Sequence, residues 1–207
     1  MHKLIAISLL LLSSLGIAGD LGNQFVTVKL AYGTSISVPR SWQVRRGNEM
    51  LAIETSVGAA ADLSGYAKSI EGTEILLFSS FPDPRLYGAV TVTSTSAPGV
   101  TPSFPSSLST AQVSSGESTI RQAVEATQAR LGANVWGWTP LRKVVLGSKV
   151  AMHTSYLRSS DAGDRRVHLY KFFGSGRIFD VALSTSVTQE AINSVVLEKI
   201  ASSFVAP

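Results

Sequence analysis

Between Arg142 and Ser184 the chain runs through four short segments in which apolar and polar residues alternate. Segments 142–146 and 149–158 flank Gly147-Ser148, and segments 165–173 and 177–184 flank Gly174-Ser175-Gly176. A period of two sends alternate side chains to opposite faces of a strand. Links this short admit only antiparallel neighbours, because a parallel connection needs roughly a dozen residues or more. This third of the chain is therefore restricted to hairpins of one antiparallel sheet, and the apolar face of that sheet must be covered by other elements.

The remaining elements supply the cover. Residues 25–30 (FVTVKL) and 34–38 (TSISV) read as two more strands joined at Ala31-Tyr32-Gly33, and Pro39 ends the second. Trp42, just beyond, is expected to plug the edge of the core. Met50, Ile53, Val57 and Ala60 recur at helical spacing, which favours a helix over 49–64, although MLAIETSV within it also reads as a strand; 74–79 and 88–95 read as strands. Residues 96–116 are rich in Ser, Thr and Pro and read as one long surface loop. Ser114-x-x-Glu117 then matches a capping box and starts a helix whose face is Ile120, Val124, Thr127 and Leu131. Ser186-x-x-Gln189 starts the last helix, with Ile192, Val195, Val196, Ile200 and Phe204 as its inward face. The expectation is an α+β fold: a single, mainly antiparallel sheet covered by about three helices.

The N-terminus bears on location. Lys3, an apolar run from Leu4 to Leu12, and small residues at Gly16 and Ala18 form the pattern of a secretory signal peptide. The run is about half the length a membrane-spanning helix needs, roughly 20 residues. The expected organisation is a signal peptide over 1–18 and a single domain over 19–207, with no transmembrane segment once the signal is removed, in the periplasm or secreted. The chain has 0 cysteines, which excludes a lipoprotein anchor, disulfides, thiolate metal sites and cysteine nucleophiles. A formal charge of +4 is spread in short pairs such as Arg45-Arg46 and Arg165-Arg166 rather than gathered in a stripe, so no nucleic-acid partner is expected.

Two passages carry a resemblance to a known fold group. The strand-proline-tryptophan entry ISVPRSW (Ile36–Trp42) and the hairpin-plus-helix ending from Val167 to Phe204 resemble the PsbP-like proteins, a group that includes a photosystem extrinsic subunit and a Ran-binding import factor. The resemblance implies an α/β/α sandwich and a protein that binds partners or assists assembly. It implies no shared active site to carry over.

For chemistry the candidates are few. Setting Phe173 opposite Arg177 places Tyr170 against Asp180 and His168 diagonal to it, a His168–Asp180–Tyr170 cluster that could orient an imidazole for base catalysis in a small periplasmic hydrolase or ligand-binding enzyme. There is no G-x-S-x-G elbow to supply a serine nucleophile. His153, His168, Asp161, Asp164 and Asp180 are too thin a set for a metal shell, so no metal and no cofactor is expected. The aromatic residues Trp136, Trp138, Phe81 and Tyr87 are the candidates for lining a groove; the two tryptophans would face the same side if extended. The leading expectation is thus a non-enzymatic envelope protein with a protein partner, one form of which neutralises an effector. A small molecule is the other ligand the chain allows.

Overall fold

The computed structural model describes residues 24–46, 72–82, 88–161 and 163–207. The signal-like segment, the helix expected over 49–64, and Tyr87 lie outside them. Ten strands and three helices are described: β1 (Phe25–Lys29), β2 (Ser35–Pro39), β3 (Gln43–Arg46), β4 (Thr73–Ser80), β5 (Gly88–Ser96), α1 (Phe104–Ser107), α2 (Thr110–Arg130), β6 (Val135–Trp136), β7 (Arg142–Leu146), β8 (Lys149–Arg158), β9 (Arg165–Gly174), β10 (Arg177–Ser186) and α3 (Glu190–Ser203).

Eight strands form one sheet in the order β3-β4-β5-β10-β9-β8-β6, with β7 also pairing β8. Every pairing is antiparallel. β1 and β2 form a separate two-stranded hairpin, so the expected single sheet is one dominant sheet with a small second one.

Helices lie on both faces of the large sheet. On one face the β1–β2 hairpin and α3 bury Ile36, Val38, Leu197, Ile200 and Phe204 against Leu77, Val90, Val92, Phe179, Val181 and Leu183. Phe204 is 0% exposed and contacts the rings of Phe172 and Phe179, at 4.8 and 5.8 Å between centroids. Burying a side chain of this size stabilises a fold by about 1.5–3 kcal/mol. On the other face α2 lays Ile120 and Val124 on Met152, Tyr156, Val167, Leu169 and Phe173.

Three local expectations are corrected. The long loop is shorter than 96–116, because α1 and the first turns of α2 occupy its second half. The capping box sits five residues earlier: Ser109 Oγ accepts from the Gln112 N–H at 3.3 Å, and Gln112 Oε1 accepts from the Ser109 N–H at 2.9 Å. Ser109-x-x-Gln112 and Ser114-x-x-Glu117 fit the same pattern. Glu117 is taken up elsewhere, accepting from the Leu141 N–H at 2.9 Å and pairing with Arg121 at 2.7 Å. In the last helix the inward stripe is Leu197, Ile200 and Ala201; Ile192 and Val195 point outward, 72% and 61% exposed. A short 3-10 turn over Val187–Gln189 rotates the helix start, and Ser186 makes no side-chain cap.

Candidate functional site

The expected histidine–aspartate cluster depends on the β9–β10 register, and the register differs by one. Gly174 pairs with Arg177, so the link is the two residues Ser175-Gly176, with Gly176 at φ +72°. Every partner therefore moves by one position, and a slip of one residue exchanges the two faces. Asp180 stands opposite Lys171, while Tyr170 pairs with Val181 and His168 with Leu183. His168 and Tyr170 thus share the α3 face with Val181 and Leu183. Asp180 is on the α2 face, separated from them by the sheet. There its carboxylate accepts two hydrogen bonds from Lys171 Nζ, each at 2.8 Å.

What joins His168 and Tyr170 instead is His153 from β8. In the β8–β9 register His153 pairs with Tyr170 and Ser155 with His168. His153 Nε2 and His168 Nδ1 share a hydrogen bond at 3.2 Å. The His153 ring also stacks on Tyr170 at 4.5 Å between centroids. Glu190 Oε1, at the start of α3, lies 3.9 Å from His168 Nε2 and 3.4 Å from Arg166 Nε. Burial holds His153 down to about 4, with the neighbouring His168 and Arg142 acting in the same direction. Burial also lowers His168, against the pull of Glu190, and raises the Tyr170 phenol.

Both shifts favour the neutral rings near pH 7, in which one ring nitrogen donates to the other. Ser155, the register partner of His168, has its Oγ 3.2 Å from Thr139 Oγ1. His153 is buried and His168 half-buried, and the two rings partner each other. Among the described residues no group of three or more His, Asp or Glu side chains is placed to hold a metal ion.

A different part of the same face is open. Where β2, the start of α3 and the end of β4 meet, a groove of about 520 Å³ is walled by Phe25, Trp42, Phe81, Ile192 and Val196. Gln24, Gln189 and Asn193 lie along it. Trp42 is 8% exposed and forms its floor. It lies flat on Gly88, where a Cβ would come within 2.9 Å of the indole ring, so the seat of the tryptophan depends on that glycine. Asn193 Nδ2 donates to Thr185 Oγ1 at 2.8 Å, which fixes the start of α3 on the end of β10. The groove exists because Ile192 turns away from the core.

The layout of a long antiparallel sheet, a β1–β2 hairpin and a C-terminal helix on one face, and a long helix on the other has a solved counterpart. A cyanobacterial PsbP from Synechocystis superimposes over 93% of this chain and 99% of its own, with a TM-score of 0.57 and 12% sequence identity. The fold is PsbP-like. Weaker likenesses include a protein from Bacteroides thetaiotaomicron, over 89% of this chain and 49% of that one (TM-score 0.49, 10% identity). Another is LpqN, involved in cell envelope biogenesis of Mycobacterium tuberculosis, over 86% of each chain (TM-score 0.39, 12% identity). No family model matches the chain, and no curated protein matches it in sequence.

Within this PsbP-like frame the aromatic candidates scatter. Phe81 lines the groove, together with Trp42, which had been expected only as a core plug. Trp136 and Trp138 are not on one side. Gly137 sits at φ +62°, a left-handed turn that breaks the extended run between them. Trp136 pairs with Leu157 at the sheet edge and is 39% exposed. Trp138 folds onto the α2 face, 4.6 Å from Tyr156 between ring centroids and under the Arg121 guanidinium at 5.3 Å. The tryptophan pair therefore makes no common surface. Ile192 was missed as a groove residue because its spacing fits the core stripe of α3 as well as Val196 does.

Proposed function

We propose that the protein is exported and acts in the cell envelope as a non-enzymatic binding domain, seating an apolar side chain of a protein partner in the groove over Trp42 and Phe81. The observation that carries this reading is the groove itself. Its volume of about 520 Å³ falls in the range of sites that bury a ligand, roughly 300–1,000 Å³. Its wall has the aromatic floor and amide rim typical of anchor pockets at protein interfaces. The signal-like N-terminus supports the location, and the PsbP-like fold is one whose group is expected to bind partners rather than turn over substrate. The binding reading is also favoured by the placement of His168 and Asp180, the pair on which the enzymatic alternative rests, on opposite faces of the sheet.

The test is site-specific photocrosslinking in cells producing the full chain. A crosslinking residue in place of Ile192 is expected to give a discrete adduct in the envelope fraction, and one in place of Glu125, on the exposed side of α2, none. Equal labelling from both positions, or none from position 192, overturns the groove as the binding site. Recovery of an unshortened chain in the cytoplasmic fraction overturns export.

A further inference from the structure

On the sheet face opposite the groove, the C-terminal half of α2 roofs a partly enclosed cavity of about 40 Å³ over β5 and β10. Much of its wall is apolar, supplied by Ala89, Val124, Val167, Leu169 and Ala182, and the polar side chains set among them are unusual. Thr91 and Thr93 from β5, Ser184 from β10 and Gln128 from α2 all border it. They are 3%, 3%, 6% and 4% exposed. Thr91 Oγ1, Thr93 Oγ1, Ser184 Oγ and Gln128 Oε1 have no hydrogen-bond partner in the protein.

Buried polar atoms are almost always paired, with protein or with ordered water. Leaving one unmade costs more than an average hydrogen bond returns. Four around one cavity point to an occupant that the protein itself does not supply.

The lining restricts what that occupant is. Three hydroxyls can donate or accept, but the Gln128 carbonyl only accepts, so the occupant must carry donors. Asp180, held by Lys171 at 2.8 Å, and Arg158 also border the cavity with opposite charges, which favours an occupant without net charge. An apolar molecule would satisfy none of these atoms. Size narrows it further: a water needs about 10–15 Å³ of such space, so roughly three fit, and a sugar ring does not. We propose that this chamber is a binding site for small hydroxylic molecules, either about three ordered waters or a two- or three-carbon polyol in their place. It shares no residue with the groove and stands or falls independently of the binding reading above.

The experiment uses the intact protein, labelled for NMR. Long-lived water contacts at the Thr91 and Thr93 methyls and at Ser184 are expected. Glycerol and ethylene glycol are then titrated in. If they shift the Thr91 and Thr93 methyl resonances and remove the water contacts, the occupant is a polyol. If the contacts persist unchanged, it is solvent. Both results uphold the site and name its source. In parallel, Thr91→Val and Ser184→Ala are expected to lower the urea midpoint at unchanged slope, because each strips a bonded occupant of a partner. No water contacts and no polyol shifts, with midpoints equal to or above wild type in both variants, would mean dry, orphaned hydroxyls and would overturn the proposal.

Discussion

Acid should destabilise this protein through His153. The ring is 7% exposed and hydrogen-bonded to a second imidazole at 3.2 Å. Burial, His168 and Arg142 hold it neutral down to about pH 4, against an ordinary value of 6.5. The unfolded chain takes up a proton near the ordinary value and the folded chain does not. Stability is therefore intact above about pH 6.5 and falls as pH drops from there toward about 4. At about 1.36 kcal/mol per pH step, the loss from this one group reaches about 3.4 kcal/mol at the bottom of the window. At about pH 5 it is already about 2 kcal/mol. His168 is shifted in the same direction and adds to the slope. The assay is urea unfolding followed by tryptophan fluorescence at about pH 7.5 and about pH 5, on wild type and His153→Gln. The variant loses the Tyr170 stack, so its absolute stability is lower at both pH values, and the informative quantity is the difference between them. Groups away from this ring are common to both proteins, and their contributions cancel. The variant is expected to lose about 2 kcal/mol less than wild type on acidification. Parallel losses in the two proteins would refute the assignment of the acid sensitivity to this ring.

Two further outcomes follow from local geometry. Ser109→Ala should cost about 1 kcal/mol of stability, whereas Ser114→Ala, exposed within α2, should stay within about 0.5 kcal/mol; thermal melts of the two would locate the helix start. Lys171→Ala removes the cation that donates to both oxygens of the Asp180 carboxylate, 5% exposed, and should cost about 1.5–3 kcal/mol, while the double replacement Lys171→Met with Asp180→Leu should recover part of that loss. Chemical denaturation of the single and double variants separates the two, and an equal loss in both would remove the ion pair as the cause.

The sheet was legible in the sequence because its strands are long, alternate cleanly and are separated by short turns. Strands 149–158 and 177–184 lie within β8 and β10 as observed. What sequence could not settle was the pairing offset. Gly174-Ser175-Gly176 serves equally as a three-residue link or as a pair of residues with Gly174 in the ladder, and the apolar pattern of Phe172, Phe173, Ile178 and Phe179 fits both. Both faces of this hairpin are buried, so the usual signal that fixes register, one wet face, is absent. That one-residue ambiguity is what assembled His168, Tyr170 and Asp180 into a cluster the molecule does not contain. The same double coverage hid His153, whose meeting with His168 depends on the β8–β9 pairing. In α3, Ile192 and Val195 repeat at helical spacing with Ile200, and only the 3-10 turn before the helix decides which apolar residues turn inward. Ser109 lost to Ser114 on sequence because Thr110–Ser118 is poor in apolar residues and reads as loop.

The last residues of the chain are stitched to the first described strands. Val205 bridges Ser35 in both directions, at 2.8 and 3.1 Å, and Ser203 Oγ accepts from the Ser37 N–H at 2.8 Å. Lys149 Nζ donates to the Ser202 carbonyl at 2.9 Å and also to that of Phe204. The central β5–β10 pair likewise joins residues nearly half the chain apart, as in Gly88 with Thr185. Contacts of such long range close late and slowly. A nascent chain cannot complete the core around Ile36 until Phe204 has emerged, so that core is withheld until the segment through Phe204 has been made. A core that closes this late leaves the chain unfolded for longer, which suits the export proposed above.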